Sequence, residues 1–221
     1  MDVNLAVIIP DRNDRPKFLS NCLRMLDSQT FKPKIIEIIN EPPKNDLCDI
    51  TYRYRTGYDK LRNKNIDVIA LIENDDWYDK TYLETMVKKW LELGKPDLLG
   101  TSYTIYYHIG LFAYHYMHHM ERSSAMSTLI KPDLQIKWCP DSEAYTDMHL
   151  WNYPGLTKEI FTPNKHICLG IKHNVGLCGG LSHSPTKLYR YNVFDTDKGF
   201  LSQTLDKQSF DFYSNYFNQQ I

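Results

Sequence analysis

Continuous apolar runs that alternate with helical patterns constrain the fold of this chain most. Residues 5–9, LAVII, form an unbroken aliphatic run of the kind found in strands that are buried on both faces. Further strand-like runs follow at residues 34–39, 67–72 and 97–99. Amphipathic helical patterns lie between or after these runs, at residues 15–26, 58–65 and 81–93. This order predicts an α/β fold with a mostly parallel central sheet that is flanked by helices.

The pattern changes after Gly100. The stretch TSYTIYYHIGLFAYHYM alternates and is rich in aromatic residues, which predicts a smaller antiparallel element with a hairpin near Ile109 and Gly110. Residues 205–217 have a weak helical pattern. We find no repeat and no linker that would divide the 221 residues, so we expect a single domain.

Composition excludes several classes of protein. A net charge of -1 argues against broad binding of nucleic acid, which needs a positive surface. No apolar run reaches the length of a membrane span, and the first ten residues lack the basic start of a signal peptide. The five cysteines include no C-x-x-C pair, so we expect reduced thiols and a cytoplasmic location.

The third apolar run ends in a group of acids. The stretch VIALIENDDWYDKTYLETM places Glu73, Asn74, Asp75 and Asp76 where ligands bind in open parallel sheets, at the carboxyl end of a strand. Clustered carboxylates repel one another unless a positive charge joins them, and oxygen ligands of this kind suit Mg²⁺ or Mn²⁺. The alternative is that the acids only favour the dipole of the helix that begins near Thr81.

Two stretches carry a family resemblance. AVIIPDRNDRPKFLSNCLRMLDSQTFKP resembles the first strand, loop and helix of nucleotide-sugar glycosyltransferases of the GT-A fold, close to family 2. LRNKNIDVIALIENDDWYDKTYLE resembles the second signature, in which an Arg-Asn pair precedes a strand that ends in an acid-x-Asp metal motif. The resemblance covers residues 5–93. It implies one GT-A domain over residues 1–221, with a nucleotide-binding half (1–100) and an acceptor-binding half (101–221).

The resemblance also implies roles for single residues. Asp75 stands at the second acid of the motif and, with Asp76, is the expected metal ligand, whereas Glu73 contacts the metal through water or contacts the ribose. Arg62 matches an Arg near the uracil, and Asn40 replaces part of an acidic pair. The residues expected around the nucleotide are Pro10, Asp11, Arg12, Asn40, Arg62, Glu73, Asn74 and Asp75.

The second half supplies two further candidates. In EAYTDMHLWNYPG, Asp147 matches the family's catalytic base, which takes the proton of the acceptor hydroxyl; the alternative is a helix cap or a solvated residue, and Asp141 and Glu143 are fallbacks. His173 follows an apolar strand and matches a late metal ligand, although a single His is more often structural. Lys172 could neutralise phosphate.

These observations predict a glycosyltransferase that depends on Mn²⁺ or Mg²⁺ and transfers a sugar, with inversion, from a nucleotide donor to a glycan or glycoprotein. UDP-sugar is the favoured donor, and Trp77, Trp138 and Tyr145 are candidates for stacking on a sugar. More loosely, the chain resembles glycosyltransferases of large DNA viruses such as those that decorate chlorella-virus capsids, which would place it in host cytoplasm.

The alternatives to a glycosyltransferase are a nucleotidyltransferase and an inactive carbohydrate-binding module. The second would be favoured if Asp147 pointed away from the acids.

Overall fold

In the computed structural model, which describes residues 1–42, 48–173 and 190–216, the strands form two sheets. The strands are, in chain order, β1 (Leu5–Pro10), β2 (Ile35–Ile39), β3 (Val68–Leu71), β4 (Trp77–Tyr78), β5 (Leu98–Thr101), β6 (Tyr103–His108), β7 (Ala113–His118), β8 (Thr128–Ile130), β9 (Lys158–Phe161), β10 (Cys168–Lys172) and β11 (Val193–Phe194). The helices are α1 (Pro16–Asp27), α2 (Ile50–Leu61), α3 (Tyr82–Glu92), α4 (Thr146–Asn152), α5 (Gly199–Thr204) and α6 (Lys207–Ser214).

The central sheet has the strand order β2-β1-β3-β8-β5-β9. β1 pairs in parallel with β2 and β3, and β5 pairs in parallel with β9, whereas β8 runs antiparallel to β3 and β5. The predicted α/β fold with a mostly parallel sheet is therefore confirmed. β8 was not predicted, because three residues are too few to show a period.

Both faces of this sheet are covered. Along β1, Leu5, Val7 and Ile9 belong to one hydrophobic cluster, whereas Ala6 and Ile8 belong to a second cluster on the opposite face. Side chains alternate between the faces of a strand, so an unbroken apolar run is what a doubly covered strand requires.

One helix differs from its prediction. The sequence pattern predicts a helix over residues 58–65, but α2 begins at Ile50 and ends at Leu61. The buried side of α2 includes Thr51, Arg53 and Gly57, so its inward face has no continuous apolar stripe for a periodicity argument to detect. The C-terminal pattern at 205–217 corresponds to α6, which begins at Lys207 and ends at Ser214, with residue 217 outside the described part.

The second sheet has the strand order β11-β7-β6-β10-β4 and brings the two halves of the chain together. β6 and β7 form the predicted antiparallel hairpin. β10 pairs in parallel with β6 and antiparallel with β4. Since β4 follows directly on the acids at the end of β3, β10 carries Lys172 and His173 to that same place.

Cys48 is disulfide-bonded, whereas Cys22, Cys139 and Cys168 are buried free thiols. The expectation of reduced cysteines is therefore wrong for Cys48. In the part of the chain that the structure describes, no helix has the length and apolar character needed to cross a membrane.

Candidate functional site

The acidic turn, residues 73–76, connects β3 of the central sheet to β4 of the second sheet. Its backbone is held from two elements: the Glu73 N–H donates to Tyr78 Oη (2.9 Å), and Tyr213 Oη of α6 donates to the carbonyls of Asp75 (3.3 Å) and Asp76 (3.0 Å). These contacts fix the direction in which the acidic side chains leave the turn.

Three carboxylates of the turn lie close together. One oxygen each of Glu73, Asp75 and Asp76 lies within 4.8 Å of the others. Burial, reinforced by Asp75 and Asp147 and opposed by Lys172, raises the pKa of Glu73 to about 7. Burial and the charge of Glu73 also raise the pKa of Asp76. Asp76 Oδ1 accepts from the Ile171 N–H (2.7 Å), whereas its buried Oδ2 has no hydrogen-bond partner among the residues that the structure describes.

Asp75 has two cationic or polar neighbours. Its Oδ2 accepts from Arg15 Nη1 (2.5 Å) and lies 2.9 Å from His173 Nε2. The third side of this triangle, from Arg15 Nη1 to His173 Nε2, measures 3.1 Å. Burial alone would raise the pKa of Asp75, but the charge of Arg15 and the contact with His173 outweigh it and lower that pKa. Asp75 is therefore already paired with Arg15 and His173.

The loop after β1 is tied to the acidic turn through Asp11. Asn74 Nδ2 donates to Asp11 Oδ1 (2.6 Å), the Asn13 N–H donates to Asp11 Oδ2 (3.1 Å), and the buried Arg53 donates to the Asp11 carbonyl (2.6 Å). Arg15 Nη2 donates to Asn74 Oδ1 at 3.4 Å. The two stretches that carry the family resemblance thus form one hydrogen-bonded unit.

A cavity of about 160 Å³ lies beside this unit. Glu73 and Lys172 line it on the side of the acidic turn, and Asp147, Tyr145 and Arg122 line it on the side of α4. Glu73 and Asp147 therefore line one cavity, although they are 74 residues apart in the sequence (147 minus 73).

Asp147 lies in the first turn of α4, whose N-cap is Tyr145. Its Oδ2 accepts from Arg122 Nη1 (2.6 Å), and 16% of its side chain is exposed. Burial raises the pKa of Asp147, although Arg122 and backbone N–H groups of the first turn lower it. Tyr145 rather than Asp147 is the N-cap residue of α4, and the Asp147 side chain is mostly buried.

The remaining predicted positions lie at different distances from the acidic turn. Pro10 ends β1, and Arg12 pairs with Asp14 through Nε–Oδ2 at 3.2 Å. Asn40 is exposed and directly follows β2. Arg62 directly follows α2 and lies beside Asp59 (3.9 Å), roughly 18 Å by helical rise from the first residue of α2, which lines the cavity.

Of the three aromatic candidates for stacking on a sugar, only Tyr145 lines this cavity. Tyr145 is 55% exposed and lines the cavity. Trp77 is buried and donates through Nε1 to Asp206 Oδ2 at 3.4 Å, so it has no face available to a ligand. Trp138 packs edge-on against Tyr58 and lines a different cavity. The fallback base Asp141 forms an exposed ion pair with Arg55.

Two residues of the site were not identified from the sequence. Arg15 only begins the predicted helix at residues 15–26, and Arg122 received no predicted role. Their partners are Asp75 and Asp147, 60 and 25 residues away, so no local pattern indicates either contact.

The donor atoms of the acidic turn suit a hard divalent cation. Mg²⁺ and Mn²⁺ prefer oxygen ligands, and three carboxylate oxygens within 4.8 Å of one another are close enough to share one ion. Asp76 Oδ2 has no hydrogen-bond partner within the described part of the chain, so it is available to such an ion. His173 Nε2 lies beside Asp75, where it could join such a set. The residues therefore fit the predicted metal, with Arg15 as a resident competitor.

Comparisons with known proteins agree with this fold. No family model matches the chain. The glycosyltransferase GlyA of Streptococcus pneumoniae serotype 4 is 24% identical over 133 residues, which cover 52% of this chain and 19% of GlyA. The chain thus spans about a fifth of that relative's length.

Solved structures of Staphylococcus aureus TarS 1-349 also match. The complex with UDP-GlcNAc has a TM-score of 0.60 at 11% identity, and the match covers 97% of this chain and 71% of that one. TarS 1-349 without a named ligand has a TM-score of 0.52 at 13% identity, with 97% and 70% covered. The chain therefore has the α/β fold of these structures, with a mostly parallel sheet and helices as predicted.

Proposed function

We propose that this chain is a glycosyltransferase that moves a sugar from a nucleotide diphosphate donor to a hydroxyl group. The observation that carries the proposal is the shared cavity, where Glu73 of the acidic turn faces the same space as Asp147. The comparisons support it, because GlyA is a glycosyltransferase and the TarS structures contain UDP-GlcNAc or UDP.

The donor side of the site is the acidic turn with its surrounding cations. We propose a UDP-sugar whose diphosphate lies near Lys172 and Arg15. Asp75 and Asp76 would hold Mn²⁺ or Mg²⁺ there, with Glu73 and His173 beside them. When bound, the ion supplies positive charge that stabilises the diphosphate as it leaves. The Asn74–Asp11 hydrogen bond keeps the loop after β1 in register with the turn.

The acceptor side is the α4 wall of the cavity. The acceptor, a hydroxyl of a glycan or glycoprotein, would attack the anomeric carbon while the bond from that carbon to the diphosphate oxygen breaks. Asp147 takes the hydroxyl proton, and the nucleoside diphosphate leaves with the electron pair of the broken bond. A single displacement of this kind inverts the anomeric carbon. Tyr145 stands where it can pack against a sugar ring.

Substitution of the base tests this proposal. We expect Asp147→Asn to lower kcat at least about 100-fold without loss of folding, because the amide cannot accept the hydroxyl proton. The assay measures release of UDP from UDP-sugars with Mn²⁺ and a panel of glycan acceptors. Asp141→Asn is the matched control, since Asp141 is an exposed Asp that pairs with Arg55 outside the cavity. Equal activity of the Asp147→Asn variant and the control would contradict the role.

The products distinguish the alternatives. A nucleotidyltransferase would release pyrophosphate, whereas the proposed enzyme releases a nucleoside diphosphate. An inactive carbohydrate-binding module would bind glycans without cleaving any donor. That second alternative was tied to Asp147 pointing away from the acids, and Asp147 instead lines the cavity with Glu73.

A further inference from the structure

Arg15 stands between the two side chains that are the predicted metal ligands. Its Nη1 lies 2.5 Å from Asp75 Oδ2 and 3.1 Å from His173 Nε2. A guanidinium only donates hydrogen bonds, so Arg15 uses a lone pair of Asp75 Oδ2. A divalent ion bound by Asp75 needs a lone pair of the same carboxylate, and an ion that also contacted His173 would have to stand where Arg15 Nη1 stands, 3.1 Å from Nε2.

The position of Arg15 is built into the fold. It directly precedes α1, its side chain is 12% exposed, and its guanidinium lies over the Phe18 ring at 5.8 Å from the centroid. Phe18 also packs against the His173 ring, with centroids 4.5 Å apart. One aromatic side chain of α1 therefore supports both Arg15 and His173.

A second carboxylate lies within reach of Arg15. Its Nε is 3.5 Å from Asp14 Oδ1, and the Asp14 side chain is 45% exposed. Arg15 could therefore leave Asp75 and still keep a carboxylate partner beside the site. A diphosphate would offer it stronger, bidentate hydrogen bonds.

We propose that Arg15 is a resident cation that competes with the divalent ion for Asp75 and His173, so that the protein without nucleotide binds the ion weakly. The donor diphosphate relieves this competition by taking Arg15 as its own partner. Arg15 is thus a positioning residue that couples metal binding to donor binding. This inference rests on the proposed function, because the competing ion is the one that the donor diphosphate would share.

Direct titration of Mn²⁺ into the protein without nucleotide tests the inference. Free Mn²⁺ is measured by electron paramagnetic resonance for the wild type, Arg15→Gln and Arg15→Met. We expect both variants to bind Mn²⁺ at least about tenfold more tightly, because they remove a unit charge within about 4 Å of the ligand atoms. Arg15→Met keeps an unbranched side chain against Phe18 and serves as the second variant if the Gln variant folds poorly.

Two controls test whether the gain in Mn²⁺ affinity arises from the contact between Arg15 and Asp75. Arg24→Gln removes another α1 arginine, which pairs with Asp206 at 3.4 Å, and should leave Mn²⁺ affinity unchanged. Adding Asp75→Asn to Arg15→Gln should abolish the gain. Unchanged or weaker Mn²⁺ binding in both Arg15 variants, or a gain that survives Asp75→Asn, would overturn the inference. The proposed function fails separately, if the wild type cleaves no UDP-sugar at any Mn²⁺ concentration.

Discussion

Asp147 lies in a largely buried position at the start of α4. Burial raises the pKa of its carboxyl group, and the ion pair with Arg122 at 2.6 Å lowers it. A general base must be ionised, so its activity is lost as the pH falls through its pKa. Arg122 thus determines how far into the acidic range the proposed base can work.

Loss of Arg122 should move the acidic limb of the pH profile. We expect Arg122→Gln to shift that limb of kcat/KM to higher pH, because only the backbone N–H groups of the first turn of α4 then oppose the effect of burial on the Asp147 pKa. The measurement is kcat/KM for UDP-sugar cleavage from pH 4.5 to 8. Arg55→Gln, which removes the partner of Asp141, should leave the profile in place. An unshifted limb in Arg122→Gln would show that Asp147 is not the group that titrates.

At the scale of single residues, the sequence predicted those site residues that are neighbours along the chain. Asp75, Asp76 and Glu73 follow a buried strand directly, so their clustering could be predicted from the order of the residues. Arg15 and Arg122 could not be assigned, because their partners come from distant segments that only the fold brings near.

The elements that build the site depend on close packing between α2 and β1. Gly57 lies in the middle of α2, and a Cβ atom there would lie 2.6 Å from Ile8 Cγ2 and 3.1 Å from Ile8 Cγ1. Ile8 is fully buried in the sheet, so it has little room to move. The glycine therefore lets the helix approach the strand.

Replacement of Gly57 by a larger residue should destabilise the fold, because the added side chain would clash with Ile8. We expect Gly57→Ala to lower the free energy of unfolding by about 1–3 kcal/mol through overpacking. In an Ile8→Ala background the clash is absent, so the same change should be neutral or slightly stabilising, as Ala favours a helix. Urea denaturation of the four proteins gives the coupling energy. Equal effects of Gly57→Ala in both backgrounds would exclude the clash as the cause.

The same packing explains which elements were predictable. α1 and α3 bury continuous apolar faces, so their periodicity located them to within one or two residues. α2 buries an arginine, a threonine and this glycine, so apolar spacing marked only its C-terminal end.

For the whole molecule, order along the chain was enough to predict the fold class but not the complete sheet. The alternation of strands and helices in the first half indicated a mostly parallel sheet. The insertion of β8 between β3 and β5 depends on three residues whose place is set by pairing with both neighbours. The cavity likewise joins an acidic turn from the first half to α4 from the second, so it exists only in the folded chain.

Thermal unfolding with a panel of nucleotide sugars tests the central claim most directly. Each nucleotide sugar is added with and without Mn²⁺, and Asp75→Asn serves as the variant without a key ligand. Binding at 100 times Kd adds about 2.7 kcal/mol to the unfolding free energy, which raises the Tm of a chain of this size by roughly 5–10 °C. The account predicts such a rise for one nucleotide, with UDP-sugars favoured, only when Mn²⁺ is present and only in the wild type. A Tm that no nucleotide sugar changes, with or without Mn²⁺, would contradict it.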